Sequence, residues 1–277
     1  MKKMFKKTLC GVLAIAATVA SVGTFAACET DKPQVEMQIE FDGKTYTLEY
    51  TLYRKLAPTT VNHFIALVEN GYYDGVCVHD YDVDGEKMYT GAYTTGGSEN
   101  GGIVYKNYYD IVKTYENFPV SVWEDTTKAT PTYTLYGEFS DNGFNVGTGA
   151  LKQEFGSLTM YYTEKDVDDK IAIQRAKDGE MDWRYYKNNS ATSMFSINLS
   201  TSAKSDAAYC TFATLNEDSE DELQTLLDAI AANEDFVTEY TVEVDGDNAY
   251  VIEYENTATY SVPNEMIVIK KAKVTKY

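Results

Sequence analysis

Residues 35–52 form two runs of strict alternation joined by Asp42-Gly43. Val35, Met37, Ile39 and Phe41 alternate with polar residues before the turn; Tyr46, Leu48, Tyr50 and Leu52 do so after it. Successive side chains of an extended strand point to opposite faces, so each run has one apolar and one polar face. Asp-Gly supplies the positive φ angles of a two-residue hairpin turn. The pattern therefore predicts an antiparallel hairpin, buried on one face, at the start of the folded body.

Only two segments carry a helical period. Val61, Phe64, Ile65 and Val68 recur at helical spacing after Pro58, and Gly71 follows as a left-handed cap. The second helix opens on Ser219 and Glu222, spaced as a capping box, and places Leu223, Leu226, Leu227 and Ile230 on one face. Helices are expected near 58–70 and 219–231. Between them the chain reads as short strands and loops. A second hairpin is expected around Asp245-Gly246, with Tyr240, Val242 and Val244 on one arm and Tyr250, Ile252 and Tyr254 on the other. Residues 265–269 read as a closing strand. Two helices among many short strands predict a mainly β barrel or sandwich with helices at its ends.

The first 27 residues are a targeting segment. Lys2, Lys3, Lys6 and Lys7 precede an apolar run from Leu9 to Ala20, and Phe25-Ala26-Ala27-Cys28 closes it. This is the architecture of a secretory signal peptide, and its ending resembles a bacterial lipoprotein signal cleaved before a lipidated Cys28. An ordinary signal peptide with an incidental cysteine is the other reading. The apolar run is too short for a lasting transmembrane helix. Residues 28–34 form the lipidated cysteine and a short linker. About 250 residues remain, room for one large domain or two small ones. The net charge of −19 becomes more negative once the four lysines leave. Such a body does not track nucleic acid or anionic lipid by electrostatics. With Cys10 removed and Cys28 lipidated, Cys77 and Cys210 are left, at a spacing that matches no zinc pattern. Buried free thiols and a single disulfide both fit them.

Tyr72-Tyr73-Asp74-Gly75-Val76-Cys77-Val78-His79-Asp80-Tyr81 resembles the cyclophilin signature Tyr-Tyr-Asp-Gly-x-x-Phe-His-Arg-Val. Upstream, Ala57-Pro58-Thr59-Thr60-Val61-Asn62-His63-Phe64 resembles the same family's Ala-Pro-Lys-Thr-Val-Glu-Asn-Phe. Downstream, Gly137-Glu138-Phe139, Gly156-Ser157-Leu158-Thr159-Met160 and Ser190-Ala191-Thr192-Ser193-Met194-Phe195 follow in the family's order. The resemblance implies a closed eight-stranded antiparallel β-barrel capped by two α-helices over residues 35–277. It also implies insertions near 103–131, 161–189 and 236–258, and a peptidyl-prolyl cis-trans isomerase acting on proline-containing polypeptides without a cofactor.

Rotating a prolyl amide breaks its resonance, against a barrier of ~18–20 kcal/mol. The family uses an apolar pocket for the ring and an arginine donor aimed at the amide nitrogen. The resemblance places that arginine at Asp80 and the family's glutamine at Thr90. Lys87 and Met88 stand for its phenylalanine and methionine, and Met194 and Ser196 for a second glutamine and phenylalanine. The tryptophan-leucine pair falls on Lys204 and Ser205, and the histidine near Tyr209. An ionised Asp80 accepts hydrogen bonds and cannot donate, so isomerase activity is expected to be weak or lost. A non-catalytic peptide-binding or chaperone-like lipoprotein is the alternative.

Other constellations point less far. His79 is read as structural and His63 as solvated on the outer face of its helix. No hydrolase or zinc motif is present. Asp80-Tyr81-Asp82-Val83-Asp84-Gly85 matches the start of a calcium loop, but Gly91 stands where its closing Glu belongs, so an acidic turn is expected and no metal. Of the 24 tyrosines, Tyr105, Tyr108, Tyr109, Tyr185 and Tyr186 lie in the insertions, where they could pack or line a peptide or glycan groove.

Overall fold

The structure is a computed structural model that describes residues 30–144, 151–162, 170–174, 178–185, 190–205, 207–243 and 257–277. The segment read as a signal, with Cys28, lies outside the described residues. The N-terminal half contains β1 (Gln34–Phe41), β2 (Lys44–Leu52), α1 (Pro58–Glu69), β3 (Val76–Cys77), β4 (Asp80–Asp82), β5 (Lys87–Thr90), β6 (Tyr93–Thr95), β7 (Ile103–Tyr105), α2 (Tyr108–Val112), β8 (Val122–Trp123) and β9 (Leu135–Tyr136). Then come β10 (Leu158–Met160), β11 (Lys170–Gln174), β12 (Met181–Tyr185), β13 (Ser190–Ala191), β14 (Phe195–Asn198), β15 (Thr211–Leu215) and α3 (Glu220–Ala231). The chain closes with β16 (Val237–Glu243), β17 (Thr257–Pro263) and β18 (Val268–Lys276).

β1 and β2 form the expected hairpin. Asp42 and Gly43 have φ of 47° and 68°, the two positive angles of a type I′ turn. The apolar residues of both strands are buried, and α1 packs its stripe of Val61, Phe64, Ile65 and Val68 against the same core. Phe64 sits centrally, with ring centroids of Tyr73, Phe212 and Phe195 at 5.1, 5.0 and 5.5 Å. Each such ring contributes about 1.5–3 kcal/mol by burial. Past α1, Gly71 adopts φ 67°, while Tyr72 N–H donates to the Leu67 carbonyl at 2.9 Å. That left-handed residue aims the chain into β3.

The fold is mainly β, but the main sheet is an open half-barrel and not a closed eight-stranded barrel. Its eleven strands run β4-β5-β14-β10-β15-β2-β1-β18-β3-β6-β7. β3 uses both of its edges, on β18 and β6. β4 follows two residues later and, among the described residues, pairs only with β5, at the far end of the sheet. The ladder therefore has no partner with which to close. Two contacts bridge the gap: His79 N–H donates to the Tyr89 carbonyl at 3.1 Å, and Thr90 Oγ1 to the Cys77 carbonyl at 2.9 Å.

Two local expectations are corrected. Ser219 does not cap α3. Its φ and ψ of −101° and −5° continue a preceding 3-10 turn, outside the extended region an N-cap needs, and its Oγ accepts from Glu49 N–H at 3.0 Å. The second hairpin pairs Tyr240 with Tyr260 and Glu243 with Thr257; the arm expected at 250–254 and the Asp245-Gly246 turn lie outside the described residues. The closing strand begins at Val268 and runs on through a lysine-rich stretch. Lys270, Lys271 and Lys273 meet Glu40, Asp74 and Glu36 on its outer side. The segments expected as the first two insertions meet: β8 pairs with β11 in a separate three-stranded sheet.

Candidate functional site

Opposed residues of an antiparallel pair share a face. The register of β4, β5, β14 and β10 therefore sorts the candidate residues. Asp80 opposes Tyr89, Tyr89 opposes Ser196, and Ser196 opposes Thr159. Two residues along, Asp82 opposes Lys87 and Lys87 opposes Asn198. These two rows form the outer face, the face of the sheet turned away from the main core, half-buried at Asp80, Asp82, Lys87 and Tyr89 and buried at Ser196, Thr159 and Asn198. Tyr81, Met88, Ile197 and Leu158 form the inner face, together with Thr90 and Phe195.

The structure thus brings together Asp80, Lys87 and Ser196, and adds Tyr209, whose ring centre lies 5.4 Å from Lys87 Nζ. Met88 and Thr90 do not join them. Met88 is fully buried in the core, and the Thr90 hydroxyl is committed to the Cys77 carbonyl. Met194 is buried in a second apolar cluster with Cys77, Tyr93, Ala258 and Tyr260. Next to it, Gly91 has φ 105°, and a Cβ there would meet the Ser193 carbonyl oxygen at 2.2 Å, so the approach of β5 to β14 requires glycine. Lys204 is held near Glu86, at 4.0 Å, and exchanges backbone hydrogen bonds with Gln153.

Asp80 stands in an altered environment on the outer face. It is half-buried, and its Oδ1 accepts from the Ser261 N–H at 2.9 Å, a contact made across the chain to β17. Loss of water pushes its carboxyl up to about 6; the Ser261 amide opposes the shift and Asp82 adds to it. Tyr89, which the sequence reading did not single out, stands between Asp80 and Ser196. Its phenol is raised above its ordinary value, first by burial and then by Tyr209, Asp82 and Asp80. The Tyr161 ring packs edge-on against it at 5.6 Å. Strand alternation from Lys87 could have found Tyr89; nothing local pointed to Ser261.

The remaining candidates resolve into structural roles. His79 is fully buried between the rings of Tyr93 and Tyr260, at 4.8 and 5.0 Å, and burial lowers its imidazole to about 3. His63 is not solvated. It is buried with Nε2 at 2.9 Å from the Thr192 carbonyl and 3.2 Å from the Tyr108 hydroxyl, because α2 and Phe118 cover that side of α1. Its pKa falls to about 4, chiefly through burial. Cys77 and Cys210 are buried free thiols, both pushed up to about 12 by burial. The acidic run from Asp80 is a strand and a turn, in which Asp82 Oδ1 accepts from Gly85 N–H at 2.7 Å. Among the insertion tyrosines, Tyr108 is core, Tyr105 and Tyr109 are half-buried and Tyr185 is exposed; Tyr186 lies outside the described residues.

Residues 35–246, most of the chain, match the family described as cyclophilin type peptidyl-prolyl cis-trans isomerase/CLD. The chain belongs to the cyclophilin family. Among solved structures it is similar to a cyclophilin type peptidyl-prolyl cis-trans isomerase of Cryptosporidium parvum, at 15% identity and TM-score 0.45 over 89% of this chain and 99% of that one. The same protein crystallised in the presence of the dipeptide Ala-Pro gives 14% identity and TM-score 0.43, over 88% and 99% of the two chains. No curated protein matches the sequence. Within the cyclophilin family's order of motifs, the outer face of β4, β5 and β14 carries the Asp80, Lys87 and Ser196 positions, so the carboxylate, the ammonium and the two tyrosines Tyr89 and Tyr209 define its chemistry. It offers hydrogen-bond acceptors and aromatic faces on one side of Asp80, and the β17 backbone on the other.

Proposed function

We propose that this protein is a lipid-anchored, extracytoplasmic cyclophilin-type domain that engages proline-containing segments of exported proteins, with isomerase activity weak or lost. The observation that carries the reading is the position of Asp80. The site that would hold a guanidinium donor holds a carboxyl, and that carboxyl accepts a hydrogen bond from Ser261. When ionised it has no proton to donate to a prolyl nitrogen. Absence of one transition-state donor raises a barrier by roughly 2.7–4 kcal/mol, or ~10²–10³ in rate.

Anchoring rests on the basic, apolar and small-residue succession that ends at Cys28. Placement outside the cytoplasm follows from the same segment, and exported polypeptides are the proline-bearing chains that such a domain would meet. The alternative of binding without catalysis is favoured by the face itself. Tyr89, Tyr161 and Tyr209 supply apolar surface with polar tips, suited to holding a peptide without twisting it. A protease-coupled isomerase assay on the soluble 29–277 fragment, beside an arginine-bearing cyclophilin, separates the outcomes. Acceleration at least ~10²-fold below the reference is expected; parity with it overturns the reading.

A further inference from the structure

The chain's two histidines are both buried, but in different company. His63 Nε2 meets the Thr192 carbonyl and the Tyr108 hydroxyl. His79 is fully buried, and among the described residues neither Nδ1 nor Nε2 has a hydrogen-bond partner. A neutral imidazole carries one N–H and one lone pair. An N–H can rest on an aromatic face, and the rings of Tyr93 and Tyr260 stand 4.8 and 5.0 Å from this one. A lone pair has no such recourse. It requires a donor or a metal ion, and a buried polar atom left with neither is costly and rare in native proteins.

Three sulfurs share the surroundings of this imidazole. β3 pairs Cys77 with Tyr93, and His79 packs on that same ring. Cys77 is a buried free thiol. On the other edge of β3, Val268 opposes Cys77, and Val78 N–H donates to the Ile267 carbonyl at 2.9 Å. That bond carries the register one pair further and sets Met266 across from His79, where opposed Cβ atoms lie ~4.5–5.5 Å apart. Met194 is buried in the cluster that holds Cys77, Tyr93 and Tyr260, and Met266 packs against the same cluster.

The donors select the ion. Thiolate and thioether sulfurs beside an imidazole suit a soft cation such as Cu(I), whereas calcium and magnesium require oxygens. Among the described residues no three of His, Cys, Asp and Glu gather to hold a metal, so zinc lacks its usual ligand set. Charge agrees. One thiolate neutralises one monovalent ion, and the pair sits in an apolar cluster without net charge; a divalent ion there leaves a positive charge buried. Asp80, next along the chain, does not change this count, because its carboxyl is turned to Ser261.

We propose that Cys77, His79, Met194 and Met266 form a Cu(I) site. The thiol gives its proton to solvent as the sulfur–copper bond forms, since a coordinated thiol is deprotonated outright. The unpartnered lone pair of His79 makes the nitrogen bond, and the two thioethers complete the shell. The ion arrives already reduced, so no electron moves. Met266 is half-buried, and its thioether marks the way in from solvent.

The test titrates the purified, reduced full-length protein, under nitrogen, with Cu(I) held by bicinchoninate. Transfer of one Cu(I) per chain is expected, with an X-ray absorption spectrum dominated by sulfur. Cys77→Ser should abolish the transfer. Met194→Leu and Met266→Leu conserve volume, so the fold should survive them. Each should weaken affinity about tenfold or more, no less than loss of a ligand's outer-shell partner does. Cys210→Ser, in the main core, should leave binding unchanged. Should Cys77→Ser fail to fold, the two leucine variants and the spectrum of the wild type still decide. Failure to take Cu(I) from bicinchoninate overturns the site and leaves a buried water as the partner of His79. A shell without sulfur, full affinity in both leucine variants, or binding lost with Cys210→Ser overturns it equally. None of these readouts uses isomerase activity or peptide binding, so the copper site and the functional reading stand or fall separately.

Discussion

Glu138→Ala should destabilise the protein by about 3 kcal/mol. α1 begins on Pro58 with no capping side chain of its own, because the residue before it is Ala57. Glu138, in the turn after β9, supplies the cap instead. One carboxylate oxygen accepts from Thr59 N–H at 3.1 Å; the other accepts from Thr60 N–H and Thr60 Oγ1, both at 2.8 Å. The carboxylate also sits at the positive end of the helix dipole. Truncation leaves these donors buried without an acceptor, at roughly 1–3 kcal/mol for each group so stranded, and collapse of the site offsets part of that. Burial outweighs the favourable bonds and holds the Glu138 carboxyl above its ordinary value. Its stabilising contribution is therefore fully present below the unfolded pKa and declines as pH rises through the folded one. Glu138→Gln, which keeps one acceptor, should cost less than Glu138→Ala, and its cost should shrink from acid to neutral pH. Urea unfolding measures both: the midpoint should fall with the slope unchanged. A loss below about 0.5 kcal/mol for Glu138→Ala, or equal losses for the two variants, would refute the capping argument.

Asp80→Arg should raise isomerase activity by less than about tenfold, since Lys87 and Ser196 remain on the face, Thr90 and Met194 stay buried away from it, and the new cation faces the Ser261 N–H; recovery to the rate of an arginine-bearing cyclophilin in the protease-coupled assay would show that one donor suffices. Cys28→Ala should abolish palmitate labelling and move the protein from the membrane to the soluble fraction, and equal membrane retention would remove the anchor.

The sequence determined those parts of the protein whose cause is local. Alternation and the Asp42-Gly43 turn fix β1 and β2 because strand period and turn φ angles are properties of a few neighbouring residues. The 3.6-residue stripe and Gly71 fix α1 for the same reason. The order of motifs was sufficient to find the cyclophilin family, while the pairing of β4 with β5 put Lys87 on the face that Asp80 shares. Tertiary structure decided what depended on partners distant in the chain. His63 stands off the apolar stripe by local pattern and is buried because Tyr108 and Phe118 arrive from an insertion. Ser219 has a capping sequence, yet its hydroxyl oxygen accepts from the Glu49 N–H of β2. The lysines of β18 hid a central strand, since their charges are met by acids on β1 and beyond α1. β3 ends between two partners, which leaves β4 unpaired on its outer side and the barrel open. The contact that defines the candidate site, Asp80 on Ser261, joins residues separated by most of the folded chain. A periodic pattern records which face of an element is apolar; it carries no record of which distant segment covers that face, because burial is set by the whole packing and not by the element alone.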